Sequence, residues 1–186
     1  MAAAVPKRRA EFATGRRCAR EALARLGLPP GPVLSGPSRE PLWPTGVVGS
    51  ITHCAGYRAA AVAHAADVAG VGIDAEPDEP LPDGVLGLVA RPAERQRLLL
   101  LSRGRPDANW DRLLFCAKEA FYKAWFPLTG VPLEFDQGEV VLEAEAQAFV
   151  VTALVDEGPS GVRRLRGRYR RHAGLIQAAV VVERAR

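Results

Sequence analysis

The chain has 186 residues, 48% of them apolar and 25% charged, with a formal charge of +4. That composition suits one domain, or two halves sharing a core, packed without staples, and its basic excess favours anionic partners without naming one. Cys18, Cys54 and Cys116 form no CxxC pair, so neither a zinc ribbon nor a disulfide framework is suggested and reduced thiols in a cytoplasmic protein are the simplest account, and no apolar run approaches the ~18 residues of a membrane span. The opening "MAAAVPKRRAEF" passes from alanines straight to charge, without the apolar stretch of a signal peptide. Residues 7–27 carry Phe12, Ala19, Leu23 and Leu26 at helical spacing, with Gly27 as the stop. "LPPGPVLSGPSREPLWPTG" reads as a loop with one short strand at Pro32–Leu34. "VVGSITHC" has the pattern of a strand, and "YRAAAVAHAA" fits a strand or a short helix. A strand covered on both faces is expected from Val68 to Ala75. The proline-broken connector "PDEPLPDG" separates an N-terminal half, 1–83, from a C-terminal half, 84–186. Beyond it the pattern predicts a helix from Pro92 to Leu101 and a longer one from Asn109 to Phe126, ended by Pro127. "EVVLEAE", "AFVVTALV", "VRRLRGRYRRH" and "LIQAAVVVE" then alternate like antiparallel strands, so the whole is α+β.

Two places set charge among apolar residues. In "VAGVGIDAEPDEP" the strand pleat turns Asp74 and Glu76 to one face. They are either a strand end entering solvent, or ligands for a hard cation such as Mg²⁺, which keeps waters and recruits phosphate oxygens. In the long helix Trp110, Leu113, Leu114, Ala117, Phe121, Ala124 and Trp125 form one stripe, with Glu119 and Lys123 opposite. An exposed i,i+4 ion pair would account for those two. However, Phe115, Tyr122 and Phe126 flank them, and charges among aromatics need partners or neutrality. Glu119 would add a third carboxylate to Asp74 and Glu76. Lys7, Lys118 and Lys123 are the only lysines among 25 basic residues, and two of them lie in this helix, where a compact ammonium can do work that arginine cannot. Arg8 and Arg16 share a side of the first helix, where they are either a seat for an anion or, as the plainer account, part of an arginine-rich solvated face. Ser50, Thr52 and His53 sit beside glycines, where backbone N–H groups can approach a phosphate. His64 and His172 carry no such signal. Acids for a cation, lysines for phosphate charge and arginines with histidine for a further phosphate add up to phosphoryl chemistry on a polyphosphate ligand. Neither GxxxxGK[ST] nor GxGxxG is present, so a nucleotide is not held in the usual mononucleotide ways.

"GSITHCAGY", "VGIDAEP" and "FCAKEAFYKAW" resemble, in order and separation, three motifs of the 4′-phosphopantetheinyl transferases. The likeness is to the monomeric type that activates enterobactin and surfactin synthetases, above all its actinobacterial members. "KRRAEF…GRRCAREAL" and "REPLWPTG" extend it, so that it runs from Lys7 to about Pro127 and weakens beyond. The resemblance implies a Mg²⁺-dependent transfer of 4′-phosphopantetheine from coenzyme A to a serine of an apo acyl or peptidyl carrier protein, giving holo-carrier and 3′,5′-ADP. It implies two similar α/β halves related by a pseudo-twofold, with coenzyme A in the cleft between them. By motif, Asp74, Glu76 and Glu119, with the backbone of Ala75, match the site of Mg²⁺, or of Mn²⁺ in its place. Lys123 matches the lysine that holds the pyrophosphate and protonates the departing phosphate oxygen, and Lys118 matches its motif neighbour. Thr52 and His53 match the strand-end pair at the coenzyme's phosphates, and Arg8 and Arg16 match positions that bind the 3′-phosphate. Glu119 is the expected base for the incoming serine, directly or through a metal-bound water, so Asp74, Glu119 and Lys123 form the expected catalytic set.

Two departures from the family pattern stand out. Ser35, Gly36, Pro37 and Ser38 occupy a loop where members often carry a lysine. Arg39 would supply the charge there, with Ser35 to Ser38 bordering the adenine or a phosphate. The chain also starts close to "KRRAEF", where members usually have a further segment, and lacking it would weaken the packing of the first half. The resemblance otherwise implies a cytoplasmic monomer that meets its carrier protein transiently and engages neither nucleic acid nor membrane. The competing expectation is a non-enzymatic basic module for nucleic acid or an acidic protein, resting on the arginine-rich "VRRLRGRYRR". The plainer account of that strand is an exposed edge that charge protects from pairing.

Overall fold

Helix α1 (Pro6–Arg25) stops where Gly27 turns to a φ of +83°. The computed structural model describes residues 6–29 and 31–184. A two-residue pair, β1 (Leu34–Ser35) with β2 (Pro41–Leu42), sits slightly later than the short strand expected at Pro32–Leu34. The hairpin of β3 (Val47–Cys54) and β4 (Tyr57–His64) follows, which resolves the segment whose periodicity fitted strand or helix. Ala19 and Leu23 of α1 bury against Val33 and Val47 in a small first core.

Strand β5 (Val68–Pro77) runs two residues past its expected end, so Glu76 lies within it. After the connector come α2 (Val85–Val89), a single turn that the sequence pattern had not suggested, then α3 (Pro92–Gly104) and α4 (Trp110–Thr129). The chain ends with β6 (Gly138–Glu143), β7 (Ala148–Ala153), β8 (Arg164–His172) and β9 (Leu175–Glu183). These four and β5 form one antiparallel sheet in the order β5-β9-β8-β7-β6. Thus β5 leaves the N-terminal stretch to pair with the last strand of the chain. β8 is third of five, so its arginines guard no edge, contrary to the expectation. Among the described residues no helix is long and apolar enough to cross a membrane.

The apolar stripe of α4 forms the main core, with Leu113, Leu114, Phe121 and Trp125 packed on Val140, Phe149, Val151, Ile176 and Val180. Burial of each such side chain contributes about 1.5–3 kcal/mol by transfer from water. Contrary to the expected stop, α4 continues through Pro127 and closes at Gly130, whose φ is +68° and whose N–H meets the Phe126 carbonyl at 2.9 Å. Proline removes only the N–H that would meet the Lys123 carbonyl, and the Thr129 hydroxyl secures the last turn by bonding the Trp125 carbonyl at 3.0 Å. Similarly α3 outruns Leu101, with the Ser102 hydroxyl bonded to the Leu98 carbonyl at 2.9 Å.

One contact positions the chemistry. A β-carbon on Gly72 would lie 2.0 Å from the Ala120 carbonyl oxygen and 2.7 Å from the Ala124 nitrogen, so α4 rests on the bare backbone of β5. Gly72→Ala is therefore expected to cost at least the upper end of the ~1–3 kcal/mol typical of overpacking. Thermal unfolding checks this, and an unchanged midpoint would contradict so close an approach.

Candidate active site

Between α1, the β1–β2 loop, β3 and α4 lies a cleft of about 1240 Å³, large enough for a nucleotide-sized ligand. Arg16, Ser35, Ser38, Arg39 and His53 line one side, and Glu119, Tyr122, Lys123 and Phe126 line the other. The rings of Tyr122 and Phe126 stack with centroids 5.6 Å apart, one on either side of Lys123 in sequence. Seams between elements, where facing helices and strands converge, are the usual place for such a site.

Asp74 is buried at the edge of β5. Its Oδ1 accepts the Thr52 hydroxyl at 3.0 Å and the Lys123 ammonium at 2.6 Å. Its Oδ2 is buried with no hydrogen-bond partner among the described residues. The edge of β5 away from β9 is met by hydroxyls of β3: Ser50 Oγ accepts the Ile73 N–H at 3.1 Å, and Thr52 Oγ1 accepts the Ala75 N–H at 3.0 Å. Thr52, expected at the phosphates, is thus buried and aligns Asp74 instead, while His53 faces the cleft. Adjacent strand residues point to opposite faces, so the two could not have shared one task. Ala75 gives its N–H to Thr52 and pairs with Gln177 in β9.

Glu119 is largely enclosed, and burial pushes its carboxyl above the ordinary range; Lys123 opposes the shift, and Asp74 and Glu76 add to it. Glu76 is raised in the same way, by burial first and then by Asp74, against the pull of Arg112. Arg112 Nη1 lies 2.9 Å from Glu76 Oε2, and the same guanidinium bonds the carbonyls of Glu79 and Pro80. Among the described residues no three His, Cys, Asp or Glu side chains converge as a ready-made metal cage. The expected trio is therefore not gathered. Asp74 is paired with Lys123 at 2.6 Å and Glu76 with Arg112 at 2.9 Å, so each acid has a cation of its own. The donor set still fits a hard cation: all oxygen, electrostatically coupled, with one buried carboxylate oxygen left open.

Across the cleft, Arg16 is buried, its Nη2 donates to Ser35 Oγ at 2.8 Å, and its Nε has no partner among the described residues. Its guanidinium carbon sits 4.9 Å from the Phe12 ring centroid, and burial lowers its pKa. A desolvated guanidinium with an open N–H is a seat for an anion. In the loop, the Gly36 N–H meets the Glu40 carbonyl at 2.9 Å and the Arg39 N–H meets the Gly36 carbonyl at 3.0 Å. This turn presents Ser35, Ser38 and Arg39 to the cleft, whereas Gly36 and Pro37 form its back and do not line it. Arg8 lies on α1, but its side chain falls outside the described residues.

Residues 1–63 match the 4′-phosphopantetheinyl transferase N-terminal domain, and residues 70–172 match the 4′-phosphopantetheinyl transferase superfamily. The chain belongs to this family. It is 56% identical to the 4′-phosphopantetheinyl transferase Svp of Streptomyces mobaraensis, over 98% of this chain and 75% of that one. It is 49% identical to the 4′-phosphopantetheinyl transferase PptT of Mycobacterium tuberculosis, over 98% and 82%. Enterobactin synthase component D of Salmonella typhi is more distant, at 34% over 72% and 55%. The match reaches residue 172, well past the Pro127 limit of the motif likeness. A phosphopantetheinyl transferase takes coenzyme A as co-substrate and a carrier protein as acceptor, and membership sets aside the reading of the chain as a non-enzymatic module.

The transferase places one motif residue away from the cleft. Lys118, expected beside Lys123, is buried with its ammonium 2.8 Å from Glu94 Oε2 and 2.7 Å from the Phe135 carbonyl. Glu94 also accepts the Arg91 N–H and the Val140 N–H, each at 2.7 Å, so it binds α3, α4 and β6 together. Burial lowers the Lys118 pKa, opposed by Glu94. Five residues on a helix leave positions 118 and 123 about 140° apart, which separates their faces. Lys118→Met would strand a buried carboxylate and is expected to cost about 3–5 kcal/mol in a urea titration; Lys118→Met with Glu94→Gln should recover much of that. A loss below about 1 kcal/mol would place the pair at a solvated surface instead. Sequence reasoning also passed over Arg112, although seven residues from Glu119 is two helical turns, a spacing that marks a shared face.

Proposed function

We propose that the cleft holds coenzyme A with its diphosphate beside Asp74, Glu119 and Lys123, and that 4′-phosphopantetheine passes from there to a serine of an acyl or peptidyl carrier protein. The observation that carries this reading is the meeting of Asp74 from β5 with Lys123 from α4 at a roomy cleft that Glu119 also lines. Asp74, Glu119 and Glu76 would hold Mg²⁺, or Mn²⁺ in its place, which supplies charge neutralisation to the diphosphate oxygens. Serine is a weak nucleophile near neutrality, and Glu119, which lines the cleft beside Lys123, is placed to take its proton. A new oxygen–phosphorus bond forms at the serine as the bond to 3′,5′-ADP breaks. Lys123, leaving Asp74, neutralises the departing phosphate oxygen and gives it a proton. Arg16, with its open Nε, takes the 3′-phosphate, helped by Arg8, while Arg39, His53 and the loop from Ser35 to Ser38 hold the rest of the nucleotide. That remote binding energy positions the diphosphate for attack.

The reading includes two halves, 1–83 and 84–186, with β5 as the seam. Each lays a helix on antiparallel strands, α1 on β3–β4 and α4 on the larger sheet, the relation a pseudo-twofold would produce. It also takes the protein to work as a cytoplasmic monomer, without nucleic acid or membrane. Incubation with Mg²⁺, coenzyme A and an apo carrier protein should add the mass of phosphopantetheine to the carrier. No such product on several carriers, with the enzyme folded, would overturn it.

A further inference from the structure

Strand β8 carries Arg164, Arg166, Arg168 and Arg170 at alternate positions, all exposed, while Leu165 and Tyr169 between them are buried in the core. On an edge strand such charges ward off pairing. β8 is instead an interior strand, bonded to β7 over Arg164–Arg168 and to β9 over Gly167–His172, so Arg168 at least has a neighbour on each side and edge protection does not account for the whole row. The strand rise spaces these arginines roughly 6.6–6.8 Å apart in one line. Glu143 holds Arg166, and Gln177 accepts from Arg170. Arg164 and Arg168 have no hydrogen-bonding or acidic partner among the described residues.

Around the row the same outer face is mixed and open: Val141 of β6 is 42% exposed and Val181 of β9 50%, and Glu143 and Glu183 stand in phase with them on the same two strands. The outward positions of β6 to β9 have one ring, the His172 imidazole at the end of β8, and hold no phenyl, phenol or indole ring, since Phe149 and Tyr169 point into the core. Nucleic-acid surfaces that bind single strands rely on such rings as stacking platforms. Guanidiniums set in aliphatic ground suit carboxylates, which they grip through two parallel bonds. The face also lies on the side of the sheet away from α4, and so away from Glu119 and Lys123.

We propose that this outer face docks an acidic partner protein, one that presents a row of carboxylates to Arg164 and Arg168 and covers Val141 and Val181. The partner's chemistry follows from charge complementarity, and the contact is separate from the cleft. A fluorescent poly-L-glutamate serves as the acidic probe, with a thymidine oligonucleotide of equal charge beside it. Three proteins are compared: the unaltered chain, R164Q/R168Q, and R20Q/R25Q, which loses the same charge from the exposed side of α1. The unaltered chain is expected to bind poly-glutamate with an affinity that falls as salt rises, and more tightly than the oligonucleotide. R164Q/R168Q should weaken that binding by about tenfold, and R20Q/R25Q by less than roughly twofold, with melting and coenzyme A binding unchanged in both. Equal weakening in the two variants, no binding of poly-glutamate, or tighter binding of the oligonucleotide lost in R164Q/R168Q would each overturn the proposal.

Discussion

Asp74→Ala is expected to lower phosphopantetheine transfer by on the order of a thousandfold while leaving the fold intact. Asp74 is the one acid of the site bonded from both sides of the seam, by Thr52 of β3 and Lys123 of α4. Its second oxygen is buried and open, and we propose it as the oxygen that meets the cation. Removing the carboxylate takes away that donor and frees Lys123 from the position beside the diphosphate. Stability changes little by comparison. The Ala75 N–H keeps Thr52 as acceptor, and Lys123 reaches solvent, with 28% of its side chain exposed. The net loss should stay near ~1 kcal/mol, the scale of one hydrogen bond. Asp74→Asn makes the test sharper, because it keeps the shape and the Thr52 contact and loses only the charge. Mass spectrometry of the carrier gives the rate, and near-native turnover in both variants would show the site to be wrongly assigned.

Glu119→Gln should lower kcat by about 10²–10⁴, a larger effect than the rise in the KM for coenzyme A, at most about tenfold, that follows from losing one of the acids around the cation. The amide keeps the volume of the side chain against Tyr122 and its neighbours but cannot take a proton from serine. A general base acts on the acceptor in the transition state, so its loss falls on kcat more than on nucleotide binding. Arg16→Gln provides the contrast: as a seat for a remote phosphate it should raise the KM for coenzyme A far more than it lowers kcat. Were Glu119→Gln to raise that KM and spare kcat, Glu119 would be a nucleotide ligand and the base would lie elsewhere.

Much of the site could be read from local periodicity. The pleat put Asp74 and Glu76 on one face, and the four-residue step put Glu119 and Lys123 on one side of α4. What could not be read depends on contacts far apart in the chain. No local pattern shows β5 leaving the first half to pair with β9, or α4 pressing on the backbone of Gly72. Lys118 and Lys123 look alike in sequence, yet Glu94, 24 residues upstream of Lys118, draws one of them into the core. The proline at 127 suggested a stop because propensity treats each residue alone, whereas Thr129 and Gly130 together carry the helix to a proper end. The arginines of β8 suggested an edge, and only strand order could correct that. Thr52 is different: simple alternation separates it from His53, and that signal was present in "SITHC".

We propose that an acid on β5 and an acid on α4 act together on a diphosphate through a divalent cation. Calorimetric titration of coenzyme A, with and without Mg²⁺, on the unaltered chain and on Asp74→Ala tests it most directly. Mg²⁺ is expected to tighten binding to the unaltered chain by about tenfold or more and to do nothing for the variant. An equal gain in both proteins, or none in either, would contradict it.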